Sequence, residues 1–433
     1  MPLDIIITVN SPGEVSGWLK PVVDALQDFP WPYRLTVFIP PCPFASGAES
    51  RVVAELPQVK QVIGAEETVR FIITGKLPAE FNPAGKGIIL FLGGDLTYAA
   101  LLAKRLRYPA VAYTEGLTNW TNSFARFATA YPWMADKVKK PAVKRKTEVI
   151  GNLMLDAVNP EYSKEQMKKL MGNEEAPGLL LLPGSRPVHF QYMLAFYMKT
   201  AEKIKAQMPS LGMAVSISPF VTEEQLVAAL SDWGAREWGV SATYSPAGKG
   251  SLDSVGPLKV LGEIKTATGL RLPCFHHQQY SLMNWADLAL TIPGTNTVEL
   301  AALGVPMVVT IPLNHPEKIP LEGLAGLIGG LPLLGKVLKR KLVPKFLAKI
   351  KFTAWPNRLA KAEIVPELIG KISPDQVAEA ALGMLQDKAG LTQISQRLKG
   401  VVGEPGAAKR LVRILEEVVR TAYPSTVLTA SMS

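Results

Sequence analysis

The sequence predicts an α/β protein built as two Rossmann-like domains facing a cleft. Three observations carry that expectation. Short β-branched and aliphatic runs alternate with helical patterns, the signature of a parallel sheet covered by helices. The alternation runs through two cycles of similar size, one opening at "DIIITVN" and the other at "GLLLLPGSRP". A chain of 433 residues also exceeds one ordinary core, so two domains are the starting point.

In the first cycle, "DIIITVN" reads as strand and "GWLKPVVDALQDF" as the helix after it. "RLTVFIP", "GIILFLGG" and "AVAYTEG" follow as further buried strands, and "EVIGNLMLDAVNP" closes the unit. "SKEQMKKLMGNEEAP" is a polar linker helix. The second cycle begins with the strand and turn of "GLLLLPGSRP", then the helix "FQYMLAFYMKTAEKIKAQM", with later strands "MAVSISP", "DLALTIPG" and "VPMVVTIP". "SPDQVAEAALGML" and "KRLVRILEEVVRTAY" are amphipathic helices, and the last ten residues are a loose tail. The expected domains are therefore 1–165, 175–375 and a C-terminal helical segment, 376–433. No short-period internal repeat is present.

Composition narrows the class. With 48% hydrophobic and 19% charged residues the chain is globular. Two distant cysteines, Cys42 and Cys274, argue for a reducing compartment and against a disulfide framework or a zinc site. The N-terminus reads as a first strand, not a signal peptide. Of the net charge of +10, seven positive charges lie in "KVLKRKLVPKFLAKIK" at 336–351, which leaves +3 elsewhere. Such localised charge, without aromatic interleaving or a recognisable module, fits a surface contact better than nucleic-acid binding. The most apolar run, at 319–336, is broken by Glu322, Pro332 and several glycines, so it is not a membrane span.

Four stretches carry chemistry. In "NSPGEVSGW" a strand gives way to a helix whose N–H groups attract anions, and Gly13 and Gly17 leave room for close approach. A capped turn with Glu14 and Ser16 accounts for it equally well. In "FLGGDLTYAA", Asp95 follows a buried strand and two glycines, at the sheet edge where open α/β folds bind ligands. It is there either as a base for an incoming hydroxyl or as an N-cap. In "LLPGSRPVHF", Gly184 and Ser185 form a turn from which Arg186 projects, as a diphosphate ligand or as a surface arginine. His189 just beyond it reads as a satisfied polar residue. In "TIPGTNTVELAALGVPMVV", Gly294 and Thr295 open a helix start, and Glu299 lies one turn in. A capping box from Asn296 to Glu299 satisfies the same spacing. There is no strand-linked GxGxxG and no Walker A pattern.

Taken together, these motifs resemble the lipid-A-disaccharide synthases, glycosyltransferases of GT-B architecture. The resemblance rests on Gly13-Glu14-Val15-Ser16-Gly17, Gly93-Gly94-Asp95, the "LLPGSR" from Leu181 to Arg186, Gly294-Thr295 with Glu299 and "PMVV", and Trp355-Pro356-Asn357. They recur in the family's order across nearly the whole chain. The resemblance implies an inverting transfer from a UDP-sugar to a lipid-linked acceptor, with no metal or other cofactor. It implies Asp95 as general base, Glu14 beside the reaction centre, Arg186 and Asn357 on the diphosphate with Gly184, Ser185, Gly294 and Thr295 nearby, and Glu299 on the ribose. It also admits a homodimer. On the acceptor side the chain departs from the family: Trp18 stands where the family has aspartate, and an acidic residue after "GSR" is missing. "TEGLTNW" replaces another segment, an added stretch spans 244–271, and Gly151-Asn152 with Asp156 stands for a histidine-containing motif. Ser16, Gly17, Glu115, Asn119 and Trp120 are the candidates there. The rival readings are a UDP-sugar epimerase or hydrolase on this scaffold, and a degenerate homologue that only binds lipid or nucleotide.

The basic stretch completes the expectation. Leu338, Leu342, Phe346 and Ile350 recur every four residues among Lys336, Lys339, Arg340, Lys341, Lys345, Lys349 and Lys351. That pattern suits a basic amphipathic segment on anionic headgroups, split into two pieces by Pro344. The expected location is cytoplasmic, peripheral to the inner face of a membrane. A helix packed on the protein with a solvated lysine face is the alternative.

Overall fold

The computed structural model describes residues 2–42, 45–248, 254–255, 258–276, 279–315 and 350–424. The chain divides into two compact units, Met1–Ala157 with Gly403–Ser433, and Val158–Val402. Each is an α/β unit around one central sheet, as the alternating pattern predicts.

The first unit holds seven strands: β1 (Leu3–Thr8), β2 (Tyr33–Phe38), β3 (Val59–Ile63), β4 (Gly87–Phe91), β5 (Ala110–Tyr113), β6 (Arg126–Thr129) and β7 (Thr147–Val149). Their order is β3-β2-β1-β4-β5-β6-β7, parallel throughout. Every residue of β1, β4 and β5 is buried, because helices cover both faces. That is why β4 and β5 read as unbroken apolar runs rather than alternating ones, and β1 does so from Ile5 to Ile7. The chain runs from β1 out to β3, then crosses back to place β4 on the other side of β1. The crevice at the carboxyl ends of β1 and β4 is therefore the topological switch point, where open α/β sheets bind ligands.

The helical run after β1 begins at Pro12, five residues before the expected start at Gly17, and passes through a π-helical turn at Val15–Leu19. Pro21 has no N–H with which to continue the regular ladder, and the Lys20 N–H instead reaches the Val15 carbonyl. Gly17 packs there. A Cβ on it would lie 3.0 Å from Met154 Cγ, so this glycine serves helix packing and not ligand approach.

The second unit holds β8 (Gly178–Leu182), β9 (Gly212–Ser216), β10 (Ala242–Pro246), β11 (Ser254–Val255), β12 (Leu258–Lys259), β13 (Gly262–Thr266), β14 (Arg271–Phe275), β15 (Leu288–Thr291), β16 (Met307–Pro312) and β17 (Glu367–Gly370). The main sheet runs β10-β13-β14-β9-β8-β15-β16-β17. It is mixed rather than purely parallel: the added stretch 244–271 contributes the antiparallel pairs β10–β13 and β13–β14 at one edge. The strand order again reverses at its middle, between β8 and β15.

The terminal helices are shared between the units. Pro374–Gln386 and Lys388–Val402 belong to the second unit, and Ala407–Ala422 returns to the first. Asp156 accepts from the Gly406 N–H and, at 2.6 Å, from the Ala408 N–H, so it caps that last helix. Arg410 donates to the Ile150 carbonyl at 2.6 Å, and the Tyr423 hydroxyl donates to the Gly87 carbonyl at 3.1 Å. The segment expected to stand apart at 376–433 is thus divided, because each helix buries its apolar face on a different sheet. Among the described residues no helix is long and apolar enough to cross a membrane. Of the basic stretch, Lys336, Lys339, Arg340, Lys341, Lys345 and Lys349 lie outside the described residues; Lys351 is exposed beside Phe352.

Candidate active site

In the first unit, Glu14 and Asp95 both lie at the switch point, on the loops that leave β1 and β4. They do different work. The Glu14 carboxylate accepts from the N–H groups of Asn10 and Ser11, each at 3.1 Å, and from Gly94 N–H at 3.3 Å. It is therefore the capping carboxylate of its own turn and a tie between the two loops. The carboxylate lies directly over Gly93, where a Cβ would come within 2.1 Å of it. Gly94 adopts φ +87°, and a Cβ there would meet Asn10 Nδ2 at 2.4 Å. The two glycines of "GGD" thus admit the tie. Burial raises the Glu14 pKa, opposed by these hydrogen bonds. Of the two readings of this stretch, the capped turn is the one formed. Three backbone donors already use its oxygens, and the chain's own carboxylate fills the N–H cluster expected to receive an anion.

Asp95 is exposed. It is the N-cap of the helix Leu96–Leu106, with Oδ1 accepting from Thr97 N–H at 2.8 Å. Oδ2 has no hydrogen bond to the described residues. Of the two readings of Asp95 the cap is formed, and it uses one of the two carboxylate oxygens. Trp120, on the loop after β5, is exposed with φ +55°, and its Nε1–H donates to Thr97 Oγ1 at 3.0 Å. It joins that loop to the first turn behind Asp95. Glu115 and Asn119 are exposed on the same loop, and Ser16 is half-buried on the π-helical turn.

In the second unit, two similar turns flank the switch point. β8 ends in Pro183-Gly184-Ser185-Arg186, and β15 ends in Ile292-Pro293-Gly294-Thr295. Gly184 has φ +104° and packs on Ile292; Gly294 has φ +151° and open space at its Cβ position. Arg186 is the N-cap of the 21-residue helix Pro187–Gln207. Next to it, burial and the Arg186 charge push the His189 imidazole down to about 4, so it is neutral at pH 7. Its Nε2 is enclosed without a hydrogen-bond partner among the described residues, where the sequence suggested a satisfied residue.

Helix Asn296–Leu303 starts at the N-cap Thr295, whose side chain makes no capping bond. The capping box from Asn296 to Glu299 is not formed. Glu299 is 1% exposed, and its Oε1 accepts from the Tyr280 hydroxyl at 3.2 Å. Burial pushes its pKa up to about 7, with the Tyr280 bond pulling the other way. Tyr280 was not singled out in the sequence. It sits in "HHQQY", where nothing in the local pattern points to a partner nineteen residues on.

Asn357 corrects another expectation. It is fully buried, and its amide makes four hydrogen bonds: Nδ2 to the Val365 carbonyl and Glu367 Oε1, both 2.8 Å, and Oδ1 from the N–H groups of Ile364 (2.7 Å) and Val365 (3.1 Å). Two donors and two lone pairs are all an asparagine amide has, so none remains for a diphosphate. Glu367, absent from the sequence reading, is the hub. It also accepts from the Thr353 hydroxyl and from the N–H groups of Thr353 (2.7 Å) and Ala354 (3.1 Å). Trp355 N–H then reaches Thr297 Oγ1 at 3.2 Å, and Thr297 donates to the Gly294 carbonyl at 2.8 Å. Asn357 therefore positions the turn at Gly294 through this chain of bonds.

Comparison with known proteins agrees with the motifs. The family model "Lipid-A-disaccharide synthetase" matches residues 139–235, a span that contains "LLPGSR". The lipid-A-disaccharide synthase of Solibacter usitatus is 34% identical over 148 residues, 32% of this chain and 33% of that protein. That of Persephonella marina is 23% identical, covering 63% of this chain and 59% of that protein. That of Synechocystis is 22% identical over 82% of each. Most of these curated relatives are thus matched over a third to three-fifths of their length. Among solved structures, UDP-GlcNAc 2-epimerase from Neisseria meningitidis superposes with TM-score 0.53, 13% identity, and coverage of 96% of this chain and 100% of that one. The same enzyme from Methanocaldococcus jannaschii gives 0.50 at 14% identity, which is likeness of fold alone. The chain is thus similar, at low identity, to the lipid-A-disaccharide synthases.

Proposed function

We propose that the protein is an inverting glycosyltransferase that moves a sugar from a UDP-sugar to a hydroxyl of a lipid or lipid-like acceptor. The observation that carries this reading is Asp95. It is an exposed carboxylate at a switch point, with one oxygen engaged as a cap and the other without a hydrogen bond to the described residues. In the proposed step Oδ2 takes the proton of the acceptor hydroxyl as that oxygen attacks the anomeric carbon. The bond from the anomeric carbon to the diphosphate oxygen breaks, UDP leaves, and the configuration inverts. Arg186, with the turns at Gly184-Ser185 and Gly294-Thr295, receives the charge that develops on the diphosphate. Neutral His189 beside Arg186 adds no competing charge. No metal is part of this proposal.

Glu299 is proposed as the ribose ligand. Its bond to Tyr280 at 3.2 Å is long for an O–H···O contact, and in the proposed complex ribose hydroxyls take its place. The basic stretch 336–351 is proposed to hold the protein on an anionic membrane face, where the acceptor resides.

The test is mass spectrometry of lipid extracts incubated with the protein and a panel of UDP-sugars. A lipid product heavier by one sugar, formed together with UDP, is the expected result. Conversion or hydrolysis of the UDP-sugar with no lipid present would instead support the epimerase or hydrolase reading. Asp95→Asn is expected to abolish transfer while UDP binding persists, and full turnover by that variant would remove Asp95 as the base.

A further inference from the structure

The loops at the carboxyl ends of β5 and β6 expose three large apolar side chains on one rim: Leu117 at 62%, Trp120 at 46% and Trp133 at 39%. The segments that carry Leu117 and Trp133 are neighbours, and Trp120 follows Leu117 on the same loop. The backbone at Gly116 lies against the short helix Pro132–Asp136, so close that a Cβ there would fall 2.8 Å from the Met134 carbonyl and 3.3 Å from Lys137 Cδ. The Lys137 ammonium lies 4.4 Å from the centroid of the Trp133 ring, which stacks on Tyr131. The other end of the rim is Trp120, bonded to Thr97 two residues from Asp95.

The charge around this apolar rim is one-sided. Between 131 and 146 the chain carries six basic residues and one acidic one. Lys137, Lys139 and Lys140 are exposed. The acidic residue, Asp136, is met by Lys144 at 3.5 Å. Glu115 is the other carboxylate on the rim. Folding supplies no reason to leave two tryptophans and a leucine in water together, whereas an interface offers an apolar layer to the rings and anionic groups to the lysines.

We infer that the rim formed by Leu117, Trp120, Trp133 and Lys137–Lys140 docks on an anionic lipid surface, in addition to the stretch 336–351. Resting on the transferase reading, this rim is where the lipid acceptor reaches Asp95. The rings enter the headgroup layer, the lysines meet lipid phosphates, and an acceptor hydroxyl at headgroup level arrives beside the first turn of helix Leu96–Leu106.

The test is flotation with vesicles of phosphatidylglycerol and phosphatidylcholine, and with phosphatidylcholine alone. Leu117→Ser/Trp133→Ser and Lys139→Glu/Lys140→Glu are each compared with the wild type, and again in a background with Lys339, Arg340 and Lys341 neutralised. Each double variant is expected to weaken binding to the anionic vesicles by on the order of tenfold. Brominated lipid is expected to quench the wild-type tryptophan fluorescence more than that of the Trp133 variant. Thermal melting matched to the wild type shows that the variants fold. Wild-type flotation of both folded variants in both backgrounds would overturn the inference. So would displacement of the protein from vesicles by a single-stranded oligonucleotide whose binding depends equally on Trp133, since the rim would then be a nucleic-acid surface. The readout is independent of turnover. Impaired flotation beside a wild type inactive on every UDP-sugar would leave the docking surface standing and reject the transferase.

Discussion

Glu299 offers a perturbation whose size follows from its surroundings. Its pKa is pushed from the ordinary 4.5 up to about 7, chiefly by burial. In the folded state it binds a proton that the unfolded chain releases between those values. The stability this proton contributes is therefore fully present below the unfolded pKa and is lost as pH rises through about 7. At 1.36 kcal/mol per pH unit, the loss is about 3 kcal/mol between pH 4.5 and 8. Glu299→Gln keeps the volume and an acceptor for Tyr280 but carries no charge to bury. Urea denaturation of wild type and variant across this range, followed by hydrogen exchange in the second unit, measures the difference. The variant is expected to gain on the wild type as pH rises, by about 3 kcal/mol at the alkaline end relative to the acid end. Parallel stability–pH curves for the two proteins would refute the reasoning, because the buried carboxylate would then titrate as it does in the unfolded chain.

Three further outcomes are expected. Arg186→Ala should weaken UDP roughly tenfold to a hundredfold while leaving uridine binding unchanged, read by calorimetry, since a charge-assisted bond to phosphate is worth about 1.5–3 kcal/mol. Asn357→Ala should lower the stability of the second unit by on the order of 4 kcal/mol, because four buried partners lose their bonds; a denaturation midpoint near the wild type would contradict its positioning role. Neutralising Lys339, Arg340 and Lys341 should weaken attachment to anionic vesicles and reduce its dependence on salt, and unchanged sedimentation would favour a helix packed on the protein.

Much of the framework was legible along the chain. The fully buried strands β1, β4, β5, β8 and β15 are mostly apolar runs, and the Pro-Gly turns after β8 and β15 show directly in "LLPGSR" and "TIPGT". β3, at the edge of its sheet, and the short β6 and β7 escaped notice, because partly exposed or three- to four-residue strands leave little period to read. So did the antiparallel β10 and β13, whose pairing comes from contacts across the added stretch.

The site divides in the same way. Sequence alone brought Asp95, Arg186 and Glu299 forward, since a strand, a small-residue turn and a charged side chain form a local pattern. It could not say what each carboxylate or amide does, because that depends on partners distant in the chain. Glu14 is engaged by Asn10 and Ser11 beside it and by a glycine eighty residues on, and Asn357 by Val365 and Glu367. Glu299 is freed from capping by a helix that starts at Thr295 and a tyrosine from the helix before it. Residue types at a sheet edge are written in the chain, whereas the hydrogen bonds that consume or spare them depend on which loops the strand order makes neighbours.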